Sequence, residues 1–187
     1  MKLNHFDSNI HNKIKNIIEN IILNIEKTDK ETAIVNENNK NWKYNTSKEY
    51  IDKNKKLLEK SKEPYTNEYL LSFSEDVITD DLLSLIKELY PNFNKVTVSG
   101  HFHYPNEGYM GWHSNWNNTG KRLYITYASE DKKSFFRYLK DGEIVTSYDN
   151  KGITIREFDI PKPPDYFWHC VGSECDRYSF GFKILNI

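Results

Sequence analysis

Two stretches of the 187-residue chain carry the side chains most able to do chemistry. One is His101-Phe-His-Tyr-Pro-Asn-Glu-Gly-Tyr-Met-Gly-Trp-His-Ser-Asn115, and the other is Phe167-Trp-His-Cys-Val-Gly-Ser-Glu-Cys-Asp-Arg-Tyr-Ser179. From His101 to Ser179 the chain holds four of its six histidines. A mononuclear iron site for oxygen chemistry needs two imidazoles and an oxygen ligand on one face of the metal, with the opposite positions open. His113 and Asn115 stand two apart at a strand end, and side chains two apart on a strand point the same way. His169 is the only histidine after His113, so the second imidazole has to come from a later strand. Beyond it, Arg177 and Ser179 are again two apart, and a guanidinium with a hydroxyl can jointly bind a carboxylate.

This set resembles the Fe(II)/2-oxoglutarate-dependent dioxygenase superfamily, whose pattern is H-x-D, a distal His and R-x-S, carried on a double-stranded β-helix. In the prolyl-hydroxylase-like and alkylation-repair branches, a tyrosine nine residues before the first metal histidine often contacts 2-oxoglutarate. Tyr104 stands at that position before His113, with Pro105 and Gly108 between. The resemblance covers the last half of the chain. It implies Fe(II) held by His113, His169 and Asn115, and 2-oxoglutarate as co-substrate held by Arg177, Ser179 and Tyr104. It also implies dioxygen as oxidant and hydroxylation of a substrate that the sequence does not name. The chain departs from the pattern at Asn115, where the family has Asp or Glu. An amide oxygen can ligate but lacks the negative charge. The alternatives are water or another anion in that place, or a carboxylate from Glu143, Asp149 or Glu157. Some family members without the carboxylate use the open position for halide.

Two other readings use the same stretches. His101, His103, Glu107 and His169 resemble the metal-binding set of a cupin, with Pro164 echoing its second motif; the glycines that frame cupin motifs are missing. A non-catalytic jelly-roll binding module would use Trp112, Trp116 and Trp168 as a ligand platform. Lys121-Arg122, Lys132-Lys133 and Arg137 are the basic clustering near the site and read as solvated surface.

The elements that must position these residues follow from periodicity. Ile10, Ile14, Ile17, Ile18, Ile21, Ile22 and Ile25 give an amphipathic helix from about Ser8 to Lys27. Thr32–Val35 reads as an edge strand within a polar loop running from Thr28 to Thr46. A second helix runs from an N-cap at Ser47 to about Lys60, ended by Lys62-Glu-Pro-Tyr65. Leu70–Phe73 is a short strand, and a third helix starts at Thr79 and stops before Pro91. After Pro91 come eight strands: 95–104, 111–115, 122–128, 134–139, 143–148, 153–159, 166–171 and 177–185. Asp141-Gly142 marks a tight hairpin. The expected fold is mainly β with N-terminal helices, a double-stranded β-helix (jelly roll) buttressed by helices. The expected organisation is one domain over 1–187, in which a mostly helical segment (residues 1–93) packs on a β core (residues 94–187).

Composition bounds the partners. A formal net charge of −1 gives no bulk reason to expect a polyanion such as nucleic acid. No apolar run approaches the roughly 18 residues that span a bilayer, so no membrane partner is expected. The N-terminus has no signal-peptide character, and Cys170 and Cys175 read as free thiols, which together lead to a cytoplasmic expectation. Oligomeric state is not legible.

Overall fold

Every strand expected after Pro91 forms, in a computed structural model that describes residues 1–28, 31–35, 41–60 and 67–185. In chain order the strands are β1 (Lys2–Leu3), β2 (Glu31–Val35), β3 (Glu68–Phe73), β4 (Lys95–Tyr104), β5 (Tyr109–His113) and β6 (Gly120–Ala128). They continue with β7 (Ser134–Lys140), β8 (Glu143–Tyr148), β9 (Gly152–Ile160), β10 (His169–Ser173) and β11 (Arg177–Leu185). The helices are α1 (Ser8–Thr28), α2 (Trp42–Asn45), α3 (Lys48–Lys60) and α4 (Asp80–Leu89). Helix α2 lies in the segment expected to be loop. The helix stop expected at Lys62–Tyr65 lies outside the described residues.

The strands make one 11-stranded antiparallel sheet in the order β1-β9-β6-β11-β4-β3-β5-β10-β7-β8, with β2 added beside β3. Strand β3 pairs antiparallel with β4 through Leu71 and Ser72, and antiparallel with β5 through Glu68 and Tyr69. Strands β4 and β5 therefore run the same way along β3, and the chain turns a corner between them at Pro105–Gly108. The corner folds one half of the sheet over the other. Aromatic contacts across the halves show the closure: Phe136 of β7 lies 5.2 Å from Phe158 of β9, and Tyr124 of β6 lies 6.4 Å from Phe136. This is the double-stranded β-helix, mainly β with helices outside it.

Both outer faces are covered, which is why apolar residues occupy alternate positions on both sides of several strands. Ile153 and Ile155 of β9, with Phe180 and Phe182 of β11, pack against Ile14, Ile18, Ile21, Ile22 and Ile25 of α1 and Leu82, Leu85 and Ile86 of α4. Burying each isoleucine contributes roughly 1.5–3 kcal/mol. On the other half, Ile51 and Leu58 of α3 pack on Trp112, Trp168 and Cys170. Between the halves a second apolar layer joins Tyr104, Phe136, Phe158, Ile160 and Val171. The caps follow in part. Ser47 Oγ accepts from the Tyr50 amide at 3.1 Å, as expected. Asp7 Oδ1 caps α1 by accepting from the amides of Asn9 and Ile10. Thr79 stands at the N-cap of α4, but its buried hydroxyl makes no cap bond. The β7–β8 hairpin turns on Asp141 and Gly142 with φ of 53° and 81°, the left-handed pair that a type I′ turn requires.

Candidate functional site

A break in strand register sets the geometry of the two histidines. His169 of β10 is the direct cross-strand partner of His113 of β5, yet Val171 faces Met110, so Gly111 and Trp112 together oppose Cys170. Such a bulge breaks the period of two and re-aims side chains. It turns both Met110 and His113 into the interior, while Trp112 points out to donate its indole N–H to the Ser47 carbonyl at 2.9 Å.

The imidazoles are held alike. His113 Nδ1 lies 2.8 Å from the Gly111 carbonyl and His169 Nδ1 lies 2.8 Å from the Phe167 carbonyl. A carbonyl can only accept, so each Nδ1 carries the proton and each Nε2 presents a lone pair. The ring centroids are 4.1 Å apart, and exposures are 6% for His113 and 1% for His169. Burial holds His113 down at about 4. Burial, then the charge His113 would carry, holds His169 well below the usual histidine range. Both are neutral at physiological pH, the form that ligates metals. Asn115 leaves the strand in a left-handed conformation (φ 51°) that asparagine tolerates, and opens a turn closed by the Asn118 amide donating to its carbonyl at 2.9 Å. Its Nδ2 lies 3.4 Å from His169 Nε2, placed to donate to that lone pair, so the amide stands beside this imidazole and would present Oδ1 there only if turned over.

A small cavity of about 20 Å³, room for one water, runs inward from the histidines. His113, His169, Met110, Phe102, Tyr124, Val171, Tyr104 and Ser179 line it. Tyr104 closes its inner end, and the cross-strand partner of Tyr104, Arg177, sets its guanidinium 4.9 Å from the Tyr104 ring centre. Arg177 is fully buried; its Nε donates to Asp149 Oδ2 at 3.0 Å and its Nη2 to Thr126 Oγ1 at 3.2 Å. The remaining nitrogen, Nη1, is buried without a partner. Asp149 is shared: Arg156 Nη1 donates to its Oδ1 at 2.5 Å and Ser134 Oγ to its Oδ2 at 2.6 Å. Two guanidiniums thus sit on one carboxylate, leaving a buried excess of one positive charge. Burial drives the Tyr104 hydroxyl upward despite Arg177 beside it, so it stays a neutral phenol.

The structure therefore brings His113 and His169 together at one end of the cavity, with Asn115 beside His169, and Tyr104 and Ser179 at the other, with Arg177 against Tyr104. Several expectations fail. Asp149 is committed to Arg156 and Arg177. Glu157 points outward to Lys121, Tyr90 and Asn4, and Glu143 sits in the exposed β7–β8 turn. Among the described residues no third His, Cys, Asp or Glu joins the histidine pair, so the carboxylate alternative to Asn115 is overturned. The cupin set does not assemble either. Gly100, Phe102 and Tyr104 of β4 line the cavity, so His101 and His103 face the helices. There His103 stacks on Tyr178 at 4.3 Å and meets Asp176 at 3.0 Å, while Glu107 lies exposed in the Pro105–Gly108 corner. The tryptophan platform fails because Trp112 and Trp168 are buried beneath α3 and Trp116 is half-buried.

Sequence reasoning missed Asp149 and Arg156 as the partners around Arg177, and it placed Arg122 on a solvated surface where the structure has it 2% exposed. The available signal was a charged residue at an inward position of an apolar strand: Arg156 shares the face of Phe158 and Ile160.

No protein-family model and no curated protein sequence matches the chain. Solved structures do. A prolyl-4-hydroxylase from Pseudomonas putida superposes over 94% of this chain and 88% of its own, with a TM-score of 0.51 and 10% identity. That likeness places the chain in the double-stranded β-helix class by fold. A 2OG-Fe(II) oxygenase family oxidoreductase from Burkholderia pseudomallei aligns over 98% and 92% of the two chains at 8% identity, and its TM-score of 0.43 is too loose to carry weight. No described helix is long and apolar enough to cross a membrane.

Proposed function

We propose that this chain is an Fe(II)- and 2-oxoglutarate-dependent oxygenase that hydroxylates its substrate. The observation that carries the reading is one cavity with two neutral imidazoles, protonated at Nδ1, at one end and Tyr104 at the other, where the buried Arg177 guanidinium with an unpartnered Nη1 lies against the Tyr104 ring. The donor set suits Fe(II), because imidazole and amide oxygen are ligands it accepts and both tautomers are fixed by backbone carbonyls. The orphaned Nη1 and the buried excess positive charge suit a carboxylate, which can accept a charge-assisted bond that no described residue accepts. The fit also requires movement: room for one water does not hold a five-carbon diacid, so Met110, Phe102 or Tyr124 must shift to admit it.

In this reading His113, His169 and Asn115 hold the metal, and Arg177, Ser179 and Tyr104 hold the far carboxylate of the co-substrate. When bound, Fe(II) would let dioxygen hydroxylate a C–H bond, with 2-oxoglutarate giving the other two electrons as it is decarboxylated to succinate. The chain's own work is positional. The Gly111 and Phe167 carbonyls keep the protons on Nδ1. Asp149 orients the Arg177 guanidinium, and Phe102, Phe136, Phe158 and Val171 keep water from the space between the ends.

The test is thermal unfolding with Mn(II), then with Mn(II) plus 2-oxoglutarate, alongside succinate release with Fe(II). At ligand concentrations near a hundred times Kd the gain is about 2.7 kcal/mol, or about 5–10 °C for a chain of this size. His169→Ala should lose the metal-dependent shift. Arg177→Ala, scored from its own baseline, should respond to Mn(II) alone as the wild type does and lose the 2-oxoglutarate increment. Wild-type protein that gains no stability from Mn(II) or Fe(II) with 2-oxoglutarate would overturn the reading.

A further inference from the structure

The barrel interior contains a second cationic position that the proposed chemistry does not use. Arg122 of β6 shares the inward face with Tyr124 and Thr126, but lies at the histidine end, opposite Arg177. Its cross-strand partner on β11 is Lys183, and like charges directly opposite one another destabilise a sheet. The two side chains converge: a Cβ built on Gly120 would lie 3.4 Å from Lys183 Cε and 3.8 Å from Arg122 Nη1. Both also grip one turn. Arg122 Nη2 donates to the Asn118 carbonyl and Lys183 Nζ donates to Asn118 Oδ1 at 2.6 Å. Arg122 Nη1 reaches only the Gly120 and Lys121 carbonyls, each at 3.4 Å. Among the described residues neither cation has a carboxylate partner.

A nearly buried guanidinium set against an ammonium, with only neutral acceptors around them, is costly to keep in an apolar barrel. Fastening the turn explains the hydrogen bonds, but one neutral side chain at either position would do that without the like-charge pair. An anion seated between them would offset the repulsion. The position is close to the histidines. Phe158, the cross-strand partner of Arg122 on β9, lies 5.7 Å from the His169 ring. The open side of the pair is Lys183, half-exposed beside the exposed residues Asn117 and Asn118.

We propose that Arg122 and Lys183 form an anion subsite at the rim of the barrel, and that the substrate carries a carboxylate or phosphate group that docks there while its reacting carbon lies by the histidines. The word substrate rests on the oxygenase reading; the anion site does not. The test therefore uses metal-free protein, with inorganic phosphate and, in a second arm, acetate titrated against chloride at matched ionic strength. Thermal unfolding of the wild type should rise with one of them, and the stronger arm identifies the oxyanion. Lys183→Gln should weaken that effect about tenfold, as loss of one charge-assisted contact predicts. Arg122→Gln with Lys183→Gln should abolish it, and Lys183→Arg should restore it. Lys183→Gln alone decides the matter if the double variant does not fold. His169→Ala should keep the phosphate effect. No effect on the wild type, or equal effects on wild type and Lys183→Gln, refutes the site. Loss of 2-oxoglutarate stabilisation in Arg122→Gln but not in Arg177→Ala would assign these cations to the co-substrate and refute the substrate assignment. A phosphate effect in a protein that binds no Mn(II) even with 2-oxoglutarate present would leave the anion site standing and remove the oxygenase reading.

Discussion

Replacing Asp149 by asparagine tests the inner end of the cavity through both stability and binding. The carboxylate is fully buried, accepts from Arg156 and Arg177 at 2.5 and 3.0 Å, and is bonded by Ser134 Oγ at 2.6 Å. Asparagine keeps the shape but leaves two guanidiniums facing each other with no counter-charge. Removing one partner from a buried ion pair costs about 3–5 kcal/mol, so the midpoint of thermal unfolding should fall by about 6–20 °C. The pH dependence separates lost charge from lost packing. Burial pushes Asp149 up, but Arg177, Arg156 and the Ser134 and Arg156 hydrogen bonds outweigh it and hold the group at about 2, below its ordinary 3.8. A folded value below the unfolded one means stability that is fully present above about pH 4 and is lost as pH falls through 2. That contribution is roughly 2.5 kcal/mol, and the asparagine variant lacks it. The gap between the two proteins, measured by urea unfolding followed through tryptophan fluorescence, should therefore narrow from pH 5 to pH 2. Binding moves the other way: with Asp149 neutral, Arg177 offers its full charge, and 2-oxoglutarate should bind the folded variant about tenfold more tightly. A gap constant with pH, or a loss below about 1 kcal/mol at pH 7, would refute the network as described.

Asn115→Asp restores a negative charge 3.4 Å from His169 Nε2 and should tighten Mn(II) binding in the absence of 2-oxoglutarate by about tenfold or more. Unchanged affinity in isothermal titration would remove Asn115 from the metal's ligands. Gly172→Ala should lower the urea midpoint by the equivalent of about 1–3 kcal/mol with an unchanged slope, because the new Cβ would lie 2.5 Å from Phe135 Cζ. A neutral result there would mean that the Phe135 ring can swing aside.

Much of this architecture was legible because local chemistry and global fold agree. Strands β4, β8 and β11 begin and end at the residues that alternation and turn signals gave. Helix α1 follows its isoleucine stripe, and Asp141-Gly142 makes the hairpin its φ values demand. The pairing of His113 with His169 followed from composition and spacing, since only one histidine lay downstream. What was not legible is long-range. The β5 bulge depends on how β10 lies beside it, so a strict period of two could not show that Met110 and His113 share a face. Strand β3, read from a four-residue apolar run, gave no hint that it would enter the sheet between β4 and β5. Asp149 sits in a turn segment, where an acidic residue ordinarily means solvent; its burial follows only from Arg156 and Arg177 arriving from two other strands. Arg122 misled for the matching reason: next to Lys121 it read as one basic surface, yet neighbours on a strand point to opposite faces. Lys121 goes out to Glu157 and Arg122 goes in.

If Asn115 holds the metal as proposed, the distribution of charge gives it a consequence beyond weak ligation. Two neutral imidazoles and an amide offer a divalent cation no compensating charge, whereas a carboxylate in the same place would remove one unit. In a cavity lined by Phe102, Tyr124, Met110 and Val171, an uncompensated dication is strongly disfavoured. In the proposed reading a diacid co-substrate would carry the missing charge at one end, and its other end would meet the excess positive charge on Arg177 and Arg156. Metal and 2-oxoglutarate are therefore expected to bind this barrel as a pair, each raising the affinity for the other by the same factor. Asn115→Asp should weaken that coupling while it tightens the metal alone. The chain that binds Mn(II) poorly without 2-oxoglutarate and well with it would be behaving as its charges require, and the absent carboxylate would then act as a device that keeps the metal site empty until the co-substrate is present.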